Sequence, residues 1–231
     1  MSLLNKILKF FLLLIILHIN AITFVIAEEN FDTWLVSYKK FALKEGVSQE
    51  TLDIAFKNVK FLDQVIKYDR KQPEFFEDTL TYVSKRANIA RVDKAEKLFK
   101  KNINLFTDIE KKFLVEKEIL LALWGIETNF GKHVGKMDII SSLATLSYDK
   151  RRRDFFSSQL FILLKLIDNK LVDPNKLYGS WAGAYGNFQF MPSTIKSYAI
   201  DYDGNNKIEL KTSLEDSLAS AANYINKIGW K

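Results

Sequence analysis

The sequence predicts a mainly α-helical protein with little β structure. Three observations carry this. Apolar residues recur at three- and four-residue spacing, no Val-rich alternating stretch interrupts residues 31–109, and 48% apolar with 27% charged residues is the balance of a chain that buries a core. The 231 residues suit one large domain or two small ones.

The first 27 residues stand apart. Lys6 and Lys9 precede the apolar run 10–17, no acidic residue comes before Glu28, and Val25-Ile26-Ala27 offers a cleavage site, which is the pattern of an export signal. The alternative is that residues 10–27, interrupted by His18 and Asn20, persist as an anchor and hold the protein at a membrane. Without cysteine there is neither a lipoprotein acylation site nor a disulfide, so packing alone must hold the fold. The net charge of +6 loses Lys6 and Lys9 on cleavage, leaving +4, a mild bias towards anionic polymers or surfaces. Nucleic acid is not an expected partner.

Trp34, Leu35, Tyr38, Phe41 and Ala42 recur at helical spacing, and Ser48, followed by Glu50 and Thr51, opens a second helix through Leu52, Ala55 and Phe56. Pro73, with Asp69-Arg70-Lys71-Gln72 before it, marks a break, after which residues 75–102 read as helix. A further helix is expected over 108–128, through Phe113, Glu116, Leu120, Leu123, Trp124 and Glu127, with Gly131 as terminator. Another pair covers 139–146 and 154–169; residues 160–167 are apolar on nearly all sides and suit a buried helix, being too short for a membrane span. Gly179, Gly183 and Gly186 then interleave with Tyr178, Trp181, Tyr185 and Phe188, a texture that brings backbone close to something. A short helix follows Pro192, and the last runs over 214–228.

Glu127 lies near the carboxyl end of its helix, beside Trp124 and Phe130. Apolar surroundings and the negative end of the helix dipole both disfavour a carboxylate, which suits a proton donor. The same position also suits an exposed glutamate. The segment 179–192 combines glycines, flat rings and the amides Asn187 and Gln189, the chemistry of a sugar cleft or of a tightly packed helix junction. Asp201, Asp203, Asn205 and Lys207 alternate as in a calcium loop, Lys207 supplying a backbone carbonyl. Asn206 replaces the turn glycine and Thr212 the bidentate glutamate, so Asp216 or Glu215 would close the shell; a solvated Asp/Asn turn is the alternative. His18 and His133 assemble no zinc site or catalytic triad, and residues 131–136 lack the full phosphate-loop pattern. Arg151, Arg152 and Arg153 read most simply as a solvated helix start, with contact to a substrate as the alternative.

Several segments together resemble the lytic murein transglycosylase B family. They are Trp124-Gly125-Ile126-Glu127-Thr128-Asn129-Phe130-Gly131; Ser142-Leu143-Ala144-Thr145-Leu146 with Arg152-Arg153-Asp154-Phe155-Phe156; Gly179-Ser180-Trp181-Ala182-Gly183-Ala184 through Gln189-Phe190-Met191-Pro192-Ser193; and Ala219-Ser220-Ala221-Ala222-Asn223-Tyr224 with Gly229-Trp230. Val65-Ile66-Lys67-Tyr68-Asp69-Arg70-Lys71-Gln72-Pro73-Glu74-Phe75 extends the match towards the amino end.

The resemblance implies a helical domain over 28–108 beside a lysozyme-like core over 109–231, with an EF-hand-like loop at 201–216. It implies a periplasmic, monomeric enzyme that cleaves peptidoglycan glycan strands between N-acetylmuramic acid and N-acetylglucosamine and leaves 1,6-anhydro ends. Glu127 would be its single acid/base residue. It further implies Ser180, Gln189 and Tyr224 as substrate-binding residues, a structural calcium held by Asp201, Asp203, Asn205, Lys207 and Asp216, and no organic cofactor. Members of the family continue past the position of Gly229-Trp230, with a segment that returns to the helical domain and supplies tyrosines to the cleft. That segment is not in these 231 residues, so the alternative function is a non-catalytic peptidoglycan-binding protein.

Overall fold

The computed structural model describes residues 30–71 and 78–230; the expected signal and the break at Pro73 lie outside them. The described residues contain eleven α-helices, one short 3-10 helix (Pro174–Lys176) and one two-stranded ribbon. The first three helices are α1 (Phe31–Lys44), α2 (Gln49–Ala55) and α3 (Asp63–Lys71). Asn30 and Ser48 cap α1 and α2, each side-chain oxygen accepting from the backbone N–H three residues on. The four-residue rhythm of α1 buries Trp34, Tyr38 and Ala42, while Phe41 stays exposed.

Next come α4 (Thr79–Arg86) and α5 (Ile89–Lys101), then α6 (Ile103–Phe113) and α7 (Lys117–Thr128). The helix expected over 75–102 is therefore broken within its described part. Asn88 leaves the helix and accepts from Arg91 N, starting α5 afresh. The helix expected over 108–128 is likewise two. Leu114 adopts φ 54 and ψ 42, ending α6, and the chain re-enters at Glu116 with Val115 fully buried in the corner. Apolar spacing runs on across this corner, so periodicity alone does not reveal it.

At the centre lie α8 (Ile139–Tyr148) and α9 (Arg153–Asp168), packed along one another. Every residue from Ile139 to Ser147 is buried, as is most of the 160–167 segment. The first three helices close over this pair: Tyr38 donates its hydroxyl to Ser157 O at 2.8 Å, Thr51 Oγ1 donates to Asp168 at 2.8 Å, and Leu62 N donates to Thr145 Oγ1 at 3.0 Å. β1 (Met137–Asp138) pairs antiparallel with β2 (Tyr178–Gly179), Met137 opposite Gly179. The last helices are α10 (Pro192–Tyr198), packed on α9, and α11 (Leu214–Lys227), packed on α6 and α10. A single apolar cluster runs from Trp34 to Ile225.

Arg151, Arg152 and Arg153 remain partly solvated, but they are also tied to the protein. The first two hydrogen-bond to the buried carboxylate of Asp69 on α3, and Arg153 donates to Tyr148 O at 2.6 Å. No helix among the described residues is long and apolar enough to cross a membrane.

Candidate active site

Glu127 stands in the last turn of α7. The chain then takes three left-handed residues in succession, Asn129 (φ 51), Phe130 (φ 58) and Gly131 (φ 77). This corner folds Phe130 back over the helix, its ring 5.5 Å from that of Trp124 and nearly perpendicular to it. The helix thus ends at Asn129, two residues before the glycine expected to stop it.

Glu127 is exposed, the alternative that its place at a helix end had left open, and among the described residues no donor or cation meets its carboxyl. Its pKa is nonetheless raised above the ordinary carboxylate value, because surrounding protein displaces part of its hydration. Desolvation carries this rise. The helix-end carbonyls are partly answered by Lys94, whose Nζ donates to Asn129 O at 2.9 Å and lies 5.1 Å from the Phe130 ring centroid.

The Gly-aromatic segment is tied to the same helix end. Thr128 Oγ1 donates to Asn187 O at 2.8 Å and accepts from Gly131 N at 3.0 Å, while Trp124 Nε1 donates to Asn187 Oδ1 at 3.0 Å. Asn187, an amide of the segment read as a sugar cleft or a tightly packed helix junction, takes the second role: it is buried, and its amide bonds to protein groups. The sequence offered such a packed junction as one of two readings but did not single out Thr128, at whose role only its adjacency to Glu127 hinted.

Ser180 is half-buried in a tight turn, where its Oγ accepts from Ala184 N at 2.9 Å. Gly183 closes that turn at φ 89, with Leu143 so near that a Cβ would meet Cδ2 at 2.5 Å. Gln189, at φ 51, directs Nε2 to Gly186 O at 2.9 Å and Val134 O at 3.3 Å, which leaves Oε1 available to a ligand donor. Tyr224, on α11, packs edge-on to Phe190 at 5.8 Å and to Tyr198 at 5.0 Å. Phe190, which packs on Tyr224, follows Gln189 in the chain, and Asn187, two residues before Gln189, bonds to the helix of Glu127. Tyr68, not singled out from the sequence, reaches from α3 to Trp181 at 6.4 Å between ring centroids and is 42% exposed, an open aromatic surface beside Ser180.

The acidic loop folds on its own side chains. Asp201 accepts from Gly204, Asn205 and Asn206 N, and Asn205 Oδ1 accepts from Lys207 N at 2.9 Å. Asn206 adopts φ 65, the left-handed turn expected of it. Oxygens of Asp201, Asp203 and Asp216 lie within 4.8 Å of one another. Asp216 is fully buried and accepts from Tyr202 N at 2.8 Å and Glu209 N at 2.9 Å. Burial, and then the charges of Asp216 and Asp201, raise the pKa of Asp203, as expected where carboxylates gather without enough positive charge. Three converging hard oxygen donors with surplus negative charge fit a calcium-sized ion.

Residues 30–231 match the family model described as the transglycosylase SLT domain. The membrane-bound lytic murein transglycosylase B of Escherichia coli K12 is 42% identical over 117 residues, which are 50% of this chain and 32% of that protein. Among solved structures, SltB3 of Pseudomonas aeruginosa in complex with NAG-NAM-pentapeptide superposes with a TM-score of 0.84 at 35% identity, covering 87% of this chain and 54% of that one. The Escherichia coli lytic transglycosylase Slt35 in complex with calcium gives 0.75 at 30% identity, covering 90% and 65%. The chain thus spans about a third of the curated relative and about half of SltB3.

Proposed function

The chain belongs to the transglycosylase SLT domain family, and from that premise we propose that it cleaves the glycan strands of peptidoglycan in the periplasm as a lytic transglycosylase. The observation that carries this reading is the Glu127 carboxyl: unpartnered among the described residues, held up in pKa by desolvation, and fixed on a helix end bonded to the Gly-aromatic segment.

In this reading the protonated Glu127 gives its proton to the oxygen between N-acetylmuramic acid and N-acetylglucosamine as that bond breaks. The resulting carboxylate takes the proton of the muramoyl C6 hydroxyl. The C6 oxygen bonds to the anomeric carbon and closes a 1,6-anhydro ring, while Glu127 returns to its protonated form and no water is consumed. One group serves as acid and then base, so no second carboxylate need lie at the fixed separation that ordinary glycosidases require. Ser180, Gln189 Oε1 and Tyr224 orient the sugar hydroxyl and acetamido groups, and the Tyr68–Trp181 surface supports a pyranose ring.

Asp201, Asp203 and Asp216, with Asn205 and the Lys207 carbonyl, would hold calcium as a structural ion. It would offset the clustered charge and pin the loop to α11.

The test is mass spectrometry of sacculi digested by the purified protein. Anhydro-muropeptides above a Glu127→Gln control are expected. Reducing-end products would make the protein a hydrolase, and sacculus binding unaffected by Glu127→Gln, with no product from either protein, would make it a binding protein.

A further inference from the structure

Asn187 is buried among protein partners, out of a ligand's reach. It is 6% exposed, its Oδ1 is taken by the Trp124 indole, and its Nδ2 donates to Ser217 Oγ at 3.0 Å and Leu210 O at 3.2 Å. What it does have is one set of bonds on each side of the molecule's two chemically active features. Towards the acid/base residue it holds Trp124, one helical turn before Glu127, and through its own carbonyl Thr128, the residue after it. Towards the acidic loop it holds Leu210 O, also through its backbone N–H at 2.8 Å, and Ser217, the neighbour of Asp216.

The second connection continues to the carboxylates themselves. Glu209 N donates to Asp216 Oδ2 at 2.9 Å, so Leu210 is one residue from a bond made by the buried member of the cluster. Ser217 Oγ lies 2.8 Å from Leu210 O and 2.6 Å from Ser213 O, two carbonyls that compete for its single proton, which holds the loop exit near the start of α11. A shift of Asp216 therefore reaches Trp124 through one buried side chain. There is little slack on the helix side, since a Cβ at Gly131 would stand 2.7 Å from Asn187 Oδ1.

We propose that Asn187 is a positioning residue that couples the acidic loop to the end of α7 that carries Glu127, so that a divalent cation at Asp201, Asp203 and Asp216 sets the placement of the acid/base group. Its effect on turnover rests on the function proposed above, but the coupling itself does not. A small displacement of a proton donor lowers turnover without altering sugar contacts elsewhere, so the signature is a loss in kcat rather than in KM.

The experiment follows the Trp124 indole N–H resonance during calcium titration, identified among four tryptophans by its loss in Trp124→Phe. Calcium should move it in the wild type and leave it still in Asn187→Ala. Turnover in Asn187→Ala should fall about 10- to 100-fold with KM changed less than about twofold, and Asn187→Ala/Trp124→Phe should be no worse than either single variant. A wild-type resonance unmoved by calcium, a response that persists in Asn187→Ala, or additive losses would overturn the proposal. If Asn187→Ala does not fold, Trp124→Phe, which deletes only the indole side of the bond, decides: wild-type kcat there also overturns it. A wild type without product would refute the proposed activity while the resonance still tests the coupling.

Discussion

Asp69 on α3 and Arg152 at the start of α9 are joined by a direct hydrogen bond across 83 positions of sequence, and the same carboxylate receives Arg151 at 2.8 Å and Arg70 at 2.6 Å. Asp69 is 1% exposed, yet what seals it from water is largely these guanidinium groups, themselves 36–46% exposed. Burial alone would raise its pKa; the hydrogen bonds and charges of Arg152 and Arg151 prevail and hold it below the usual value. A group with a depressed folded pKa contributes stability that is present above its unfolded pKa of about 4 and lost as pH falls through the folded value. Asp69→Asn should therefore cost about 2 kcal/mol at neutral pH, less than a fully buried pair because the arginines remain hydrated. Thermal melts should show the gap to the wild type closing at acid pH, and a gap independent of pH would refute the ion-pair account.

This pairing also shows where sequence reasoning stops. Local rules found α1 through the spacing of Trp34, Tyr38 and Ala42, α2 through its Ser48 cap, and α8 and α9 through their apolar runs, because those signals lie within a few residues of their effect. Arg151 and Arg152 looked solvated because their partner is more than 80 residues away. Asn187 could be read towards a sugar or towards a packed junction for the same reason: an amide among glycines reads alike whether it faces solvent or an indole 63 positions earlier. The corner at Leu114 was hidden because its φ of 54 sits on a residue type with no turn preference. The place of Glu127 at a helix end was legible, but the tie from its helix to Asn187 was not.

Removing the Glu127 charge should have opposite effects on activity and stability. Glu127→Gln should lower turnover about 10²–10⁴-fold, the usual worth of a general acid/base group, with the fold retained. In the wild type, kcat/KM should fall as pH rises through the elevated pKa, since the donor must be protonated. A raised folded pKa contributes stability that is present below the unfolded value and lost as pH rises through the folded one. Glu127→Gln should therefore melt above the wild type at neutral pH, with the difference vanishing below about pH 4. Equal melting temperatures throughout would mean that the carboxyl is not desolvated in solution.

Two carboxylates of the acidic loop should respond with opposite signs when calcium is withheld. Asp203 is surplus charge, so Asp203→Asn should raise the melting temperature of the chelated protein. Asp216 anchors Tyr202 N and Glu209 N from a fully buried site, and placing an amide donor against one of those N–H groups should cost about 1–3 kcal/mol. Calcium should stabilise the wild type by about 2.7 kcal/mol at a hundred times its Kd and do little for either variant. Calorimetry with and without chelator checks all three; a calcium-independent wild-type melt would remove the ion from the account.

Gly135 is the position least able to change. Its φ is 86, and an added Cβ would lie 2.0 Å from Gly179 O and 2.6 Å from Ser180 N, backbone atoms that cannot rotate aside. The clash pushes residue 135 away from the end of β2, and with it both the Val134 carbonyl that accepts from Gln189 Nε2 and the turn that places Ser180. Gly204 is a control for conformation alone: its φ is 74, but nothing lies within 4 Å of the added carbon. Gly204→Ala should cost only the left-handed penalty of about 1–2 kcal/mol. Gly135→Ala adds overpacking to the same penalty and should cost more than about 3 kcal/mol. Its surviving folded fraction should also show a raised KM, because Ser180 and Gln189 lose their shared support. Equal losses in the two variants would mean that the 132–136 segment moves freely away from β2 and does not brace the cleft.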